Sequence, residues 1–210
     1  MTLSRHLVTA VIAAAMSTVA SAQTRMPASP PGTSAVQVGG KYVTTEKGPV
    51  YQDGQWVTVT YGRPLLRGRT NIFGSGATYG KDILLGAPVW RVGANVSTRF
   101  KTDVPLVFAG KTLPVGEYSM FVDISEKAWT LIFSNWPQQT KYDPSNKEAL
   151  WGAFNYTADR DVLRAPMTLS KTANSLDQLT IQFVDVTSAV GTLMVWWEKQ
   201  MATVPFTVGK

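Results

Sequence analysis

Five separate stretches of this chain place apolar residues at every second position. Residues 57–61 (VTVTY) alternate β-branched residues with period two. Residues 117–124 (EYSMFVDI) put Tyr118, Met120, Val122 and Ile124 on one face, and residues 129–134 (WTLIFS) do the same with Trp129, Leu131 and Phe133. Leu179, Ile181 and Phe183 share a face that Thr180 and Gln182 do not, and residues 193–199 (LMVWWEK) end in a Trp pair whose rings must point to opposite faces. Successive side chains alternate across a strand, so this periodicity marks half-buried antiparallel strands. Turn signals separate them. Leu113-Pro114-Val115-Gly116 suits a type I turn, and residues 125–127 are short enough to join two strands as a hairpin. No run of helix length keeps a 3.6-residue period. Asp143-Pro144 can cap one short helix through residue 150. Many short strands without βαβ alternation predict an all-β chain: a single antiparallel β-sandwich, jelly-roll or immunoglobulin-like, with a closed β-barrel as the alternative.

The N-terminus reads as a secretory signal at residues 1–22. Arg5 supplies a positive start, residues 7–16 form a mostly apolar run too short to span a bilayer, and Ala20-Ser21-Ala22 gives the small-x-small cleavage pattern. An exported product, periplasmic or extracellular, is expected, with no later apolar run long enough to cross a membrane. Residues 23–50, rich in Gly, Pro, Ser and Thr, read as a flexible leader in which residues 36–43 are a candidate edge strand. Residues 51–210 then form the single domain.

Cleavage matters for chemistry. The chain has no Cys, and its one His, His6, leaves with the signal. Ser-His-Asp triads and Cys-His dyads are thereby excluded, and zinc, copper and haem sites of the usual kinds lose their main ligands. There is no Gly-x-Ser-x-Gly elbow and no Ser-x-x-Lys pair. Gly74-Ser75-Gly76 with Gly80-Lys81 has the wrong spacing for a phosphate loop, and Asp82 stands where Ser or Thr would bind magnesium. The chain therefore reads as non-catalytic, with no cofactor and no metal site. Asn155, Asp159 and Asp161 cluster oxygen ligands, but a polar turn before a strand predicts the same residues.

The formal net charge of +6, which falls to +5 when Arg5 leaves with the signal, favours acidic partners, though solubility alone explains it equally well. Its Lys and Arg are scattered rather than striped, which argues against nucleic acid. Six residues carry the candidate ligand site: Trp90, Arg91, Asn95, Trp151, Asn155 and Tyr156. Aromatic faces stack on sugars, Asn amides bind hydroxyls, and Arg forks onto carboxylates. The competing expectation is structural, with the Trp rings filling the core and the Asn and Arg satisfying loop backbone. The leading functional expectation is an exported binding module for a sugar-containing or acidic envelope ligand. A structural or assembly protein of the envelope and a carboxylate-dependent hydrolase are the alternatives.

Several strings fall in one order along the chain: Tyr61-Gly62-Arg63-Pro64, Trp90-Arg91-Val92-Gly93-Ala94-Asn95, residues 110–121 (GKTLPVGEYSMF), residues 129–133, Trp151-Gly152-Ala153-Phe154-Asn155-Tyr156, Asp161-Val162-Leu163-Arg164 and Trp197-Glu198-Lys199. In these the chain resembles the bacterial domain-of-unknown-function family 2911, over about residues 56–205. The resemblance implies an exported single domain and carries no assigned activity, so no catalytic residue transfers. Two departures stand out. The family follows its Gly-Ala-Asn with an acidic residue where this chain has Val96, Ser97 and Thr98, and residues 74–88 and 136–150 are longer here.

Overall fold

The computed structural model describes residues 28–146 and 152–210. Its strands are β1 (Pro31–Val38), β2 (Lys41–Thr45), β3 (Gly48–Gln52), β4 (Gln55–Gly62), β5 (Arg99–Thr102), β6 (Leu106–Phe108), β7 (Lys111–Leu113), β8 (Gly116–Ile124), β9 (Trp129–Ser134), β10 (Asp161–Val184) and β11 (Val190–Val208). Nine of them form one antiparallel sheet in the order β1-β4-β5-β8-β9-β10-β11-β6-β7, while β2 and β3 pair as a separate hairpin. The strand β10 makes the sheet fold over itself. Its start pairs with β9, from Asp161↔Ser134 to Met167↔Trp129. From Thr168 onward it pairs with β11 instead. Two layers result, joined through one long strand, and the alternating apolar faces meet between them. The sheet keeps two edges, β1 and β7, so the barrel alternative is not realised.

Phenylalanines from both layers fill the interior. Phe100 of β5 and Phe133 of β9 lie 4.5 Å apart between ring centroids, and Phe133 meets Phe108 of β6 at 5.0 Å. Phe206 of β11 closes on Phe108 at 5.6 Å and on Phe183 at 6.1 Å. Tyr61 bolts the layers together at the open side. Its hydroxyl accepts the Ile181 N–H at 2.8 Å and faces the Ile181 carbonyl at 3.3 Å.

Strands β8 and β9 are covered on both faces. Met120, Val122, Leu131 and Phe133 face the main core. Phe121 and Ile132 face a second cluster with Ala87, Val89, Ala153 and Tyr156. Two-sided burial explains why these strands read as nearly unbroken apolar runs rather than clean alternation.

Residues 31–50, expected in a flexible leader, are built into strands. Pairing in β1 runs in unbroken register from Pro31↔Gly62 to Val38↔Gln55. Composition hid this because an edge strand is wet on one side: β1 is fully buried only at Val38. The candidate strand at 36–43 is split by Gly39, at φ +77°, into the end of β1 and the start of β2. Where a helix is expected after Asp143, the described residues form a turn, in which the Asp143 carboxylate accepts the Ser145 N–H at 2.9 Å and its hydroxyl at 2.6 Å. Residues 147–151 lie outside the described part of the chain, as does the expected signal at residues 1–22.

Candidate ligand-binding cleft

A cleft of about 620 Å³ opens at the end of the sandwich where β4 leaves the sheet. Its walls are the loop after β4, the short helix α1 (Lys81–Leu84) and the string beginning at Trp90, with Trp197 of β11 at its floor. The loop after β4 is held to the second layer by backbone. Leu66 N–H donates to Asp177 O at 2.7 Å and Leu179 N–H to Pro64 O at 3.0 Å.

Glu198 adds the side-chain anchor. Register slips between Leu176↔Glu198 and Thr180↔Trp196, so β10 bulges opposite Glu198, which itself sits at φ +53°. A bulge re-aims the side chains beside it. The Glu198 carboxylate accepts the N–H groups of Asn71 and Ile72, the latter at 3.2 Å. Trp196 and Trp197 point to opposite faces, as their adjacency requires. The Trp197 indole N–H reaches Asp177 O at 3.2 Å.

The tryptophans are core first. Trp90 is 3% exposed and Trp197 5%. Their rings are near parallel at 13° with centroids 6.3 Å apart, and Trp90 meets Phe73 and Trp129 edge-on at 5.8 and 5.6 Å. Trp90 also exchanges backbone hydrogen bonds with Val122 of β8, at 2.9 and 2.8 Å. Such buried rings give the cleft an apolar floor rather than an open stacking face.

Arg69 and Arg91 bring positive charge to the cleft. Arg69 is fixed by donating Nε to Leu66 O and Nη2 to Leu65 O, both at 2.9 Å, which sets its guanidinium 6.0 Å from the Trp197 ring centroid. That distance is the outer limit of a cation–π contact. Arg91 donates Nε to Gly93 O at 3.1 Å. Burial lowers its pKa to about 10, with Tyr142 acting in the opposite sense, so the guanidinium remains charged at neutral pH. Asp82 is the one acid in the lining.

The string 90–95 is under backbone constraint. Val92 is fully buried at φ +46°, a conformation that costs a β-branched residue of order 1–3 kcal/mol. A Cβ on Gly62 would come within 2.0 Å of Ala94 O, and one on Gly93 within 2.5 Å of the Thr98 hydroxyl oxygen. Only glycines let β4 and this loop approach so closely. Arg67, Asn71 and Leu85, around the same cleft, also have positive φ. Strain of this kind clusters where ligands are clamped.

Of the six residues singled out in the sequence, the structure brings Trp90 and Arg91 together in this cleft. Asn95, exposed at φ +69°, turns to a neighbouring hollow and donates Nδ2 to Ser29 O at 3.1 Å. Tyr156 lies across the sheet in the second cluster, and exposed Asn155 precedes it at φ +58°. Trp151 is outside the described residues. The Tyr156 hydroxyl donates to Asp161 at 2.6 Å, and Arg164 bridges Asp161 and Asp123 at 2.9 and 2.8 Å. Burial, reinforced by Asp161, pushes the Tyr156 hydroxyl pKa upward.

The Asn155-Asp159-Asp161 oxygens do not converge. Asp161 is engaged by Tyr156 and Arg164, and Asp159 by the Thr157 hydroxyl. No group of three or more metal-ligating side chains assembles among the described residues. What the sequence reading missed is Arg69, Glu198 and the role of Trp197. The Trp197-Glu198-Lys199 string was visible, but its place beside residue 90 is a tertiary fact.

Fold and cleft together define an all-β protein of one folded antiparallel sheet with a charged cleft, floored by tryptophan, at one end. Residues 45–206 match the family described as protein of unknown function (DUF2911), and the chain belongs to that family. Neither the curated proteins nor the solved structures yield a match.

Proposed function

We propose that this chain is an exported, non-catalytic binding module that takes an acidic ligand, a carboxylate-bearing sugar in the first instance, in the cleft between Arg69 and Arg91. The carrying observation is Arg91: a guanidinium largely withdrawn from water, still charged at neutral pH, on the wall of a cleft of about 620 Å³. Carboxylates are the natural partners of such a fork. The buried edges of Trp90 and Trp197 leave part of the cleft apolar, and Asp82 can accept from a hydroxyl. Export rests on the signal at residues 1–22. A two-acid hydrolase needs carboxylates facing one another across the site, and the lining has Asp82 alone.

Thermal unfolding against acidic and neutral sugars tests the reading. An acidic ligand at 100 times its Kd should add about 2.7 kcal/mol and raise the midpoint visibly. Neutral analogues should not do so through this cleft. If acidic and neutral compounds shift wild type and Arg91→Gln alike, the cleft is not an acid-binding site.

A further inference from the structure

A second cavity, of about 520 Å³, lies where β1 ends, lined by Gln37, Tyr42, Tyr51, Val186, Thr187 and Ser188. Its place follows from the register. Pro31 pairs with Gly62 beside the cleft and Val38 with Gln55 at the far end, so the length of β1 separates the two sites by about 25 Å. The β2–β3 hairpin forms one wall and the turn between β10 and β11 the other. Gly39 N–H donates to Ser188 O at 2.7 Å and ties the walls together.

The aromatic pair in this cavity is built differently from the core rings. Tyr51 is fixed: its hydroxyl accepts the Gly40 N–H at 2.9 Å. A Cβ on Gly40 would stand 2.8 Å from the Tyr51 ring and one on Gly54 2.5 Å from it, so the ring is held where only glycine leaves room. Tyr42 backs onto Tyr51 at 5.0 Å and 57°, yet is 74% exposed. Trp56, 50% exposed, is the cross-strand partner of Gln37. A further exposed aromatic thus stands beside Gln37 on the neighbouring strand. The Gln37 amide makes a long contact to Gly54 O, at 3.5 Å. The Thr187 and Ser188 hydroxyls complete the rim, and none of the six lining side chains is charged.

We propose that this Tyr42–Tyr51 platform is a second binding site, for a neutral oligosaccharide. The solvent-facing Tyr42 ring, backed by the fixed Tyr51, matches the carbon–hydrogen face of a pyranose, and a neutral rim of amide and hydroxyls matches its hydroxyl groups, which both donate and accept. An uncharged lining distinguishes it from the arginine-walled cleft, where an acidic ligand is expected. The proposal stands independently of that reading, because the two sites share no residue.

The test is calorimetric titration of the protein with neutral hexasaccharides of glucose in β-1,4 and α-1,4 linkage, of N-acetylglucosamine and of mannose. Wild type, Tyr42→Ala, Tyr42→Trp and Arg91→Gln are compared, with sedimentation velocity on each. The expected result is that at least one sugar binds, that Tyr42→Ala weakens it tenfold or more, and that Tyr42→Trp and Arg91→Gln retain it. Tyr42 is exposed, so its loss should leave the melting temperature nearly unchanged. The proposal is overturned if no hexasaccharide binds up to millimolar concentration, or if binding survives Tyr42→Ala. It is equally overturned if the wild type sediments as a dimer that Tyr42→Ala makes monomeric, since the platform would then be a contact between copies.

Discussion

At the scale of single residues, the cleft's chemistry concentrates in Arg91 and Glu198, which do opposite jobs. Arg91 holds charge against desolvation, whereas Glu198 gives both carboxylate oxygens to the loop after β4. Glu198→Gln replaces one acceptor oxygen with an amide that cannot accept from Asn71 or Ile72. We expect it to destabilise by about 1–3 kcal/mol, the cost of an orphaned backbone donor, and to loosen the cleft; urea unfolding and hydrogen exchange at residues 71 and 72 check this. The tyrosines set the alkaline behaviour. Tyr79, Tyr118 and Tyr156 all have raised pKa values, first through burial. The folded state therefore retains these protons above the ordinary tyrosine value of 10.0, where the unfolded chain releases them, and stability falls as pH rises past that value. Arg91 acts in the opposite direction over the interval above about 10, because there the unfolded chain holds the proton that the folded state gives up. Tyr156→Phe should flatten the alkaline fall in a series of urea titrations, and an unchanged slope would show that Tyr156 does not contribute.

Individual elements explain what was readable beforehand and what was not. Strands such as β4, with Val57, Val59 and Tyr61 inward and Thr58 and Thr60 half-exposed, show their period because one face is dry and the other wet. The edge strand β1 reads as leader because Gly, Ser, Thr and Ala satisfy its shallow burial as well as they satisfy disorder. The length of β10 was invisible for another reason: it exchanges β9 for β11 midway, and pairing partners are not written in local sequence. The candidate site shows the same limit. Trp90-Arg91 and Asn155-Tyr156 both sit in Trp-headed strings, but the first backs onto Val122 and the second onto Phe121, which point to opposite faces of one strand. If β1 is integral to the sheet, Val38→Asp should destabilise the protein by more than 3 kcal/mol by burying an unpaired charge, measured by thermal unfolding. A near-neutral effect would return that segment to a leader.

For the molecule as a whole, the two layers depend on one interior. Phe100, Phe108, Phe133, Phe183 and Phe206 link β5, β6, β9, β10 and β11 in a single aromatic chain. Phe133→Ala should cost about 3–5 kcal/mol and shift the one unfolding transition without splitting it. A variant that unfolds in two steps would mean that the layers are separately stable. The basic balance of charge, +6 overall, raises the local concentration of anions around the protein but does not say where they dock. The proposed docking places are the two arginines at the end of the sandwich and the neutral platform at the other end of β1.

Calorimetric titration of an oligogalacturonate into wild type and Arg91→Gln at neutral pH tests that assignment most directly. Saturable binding to the wild type is expected, with a loss of tenfold to a hundredfold in the variant, the range of one charged hydrogen bond, and a melting temperature little changed. Equal affinity in the two proteins, or no binding to a folded wild type, would contradict it.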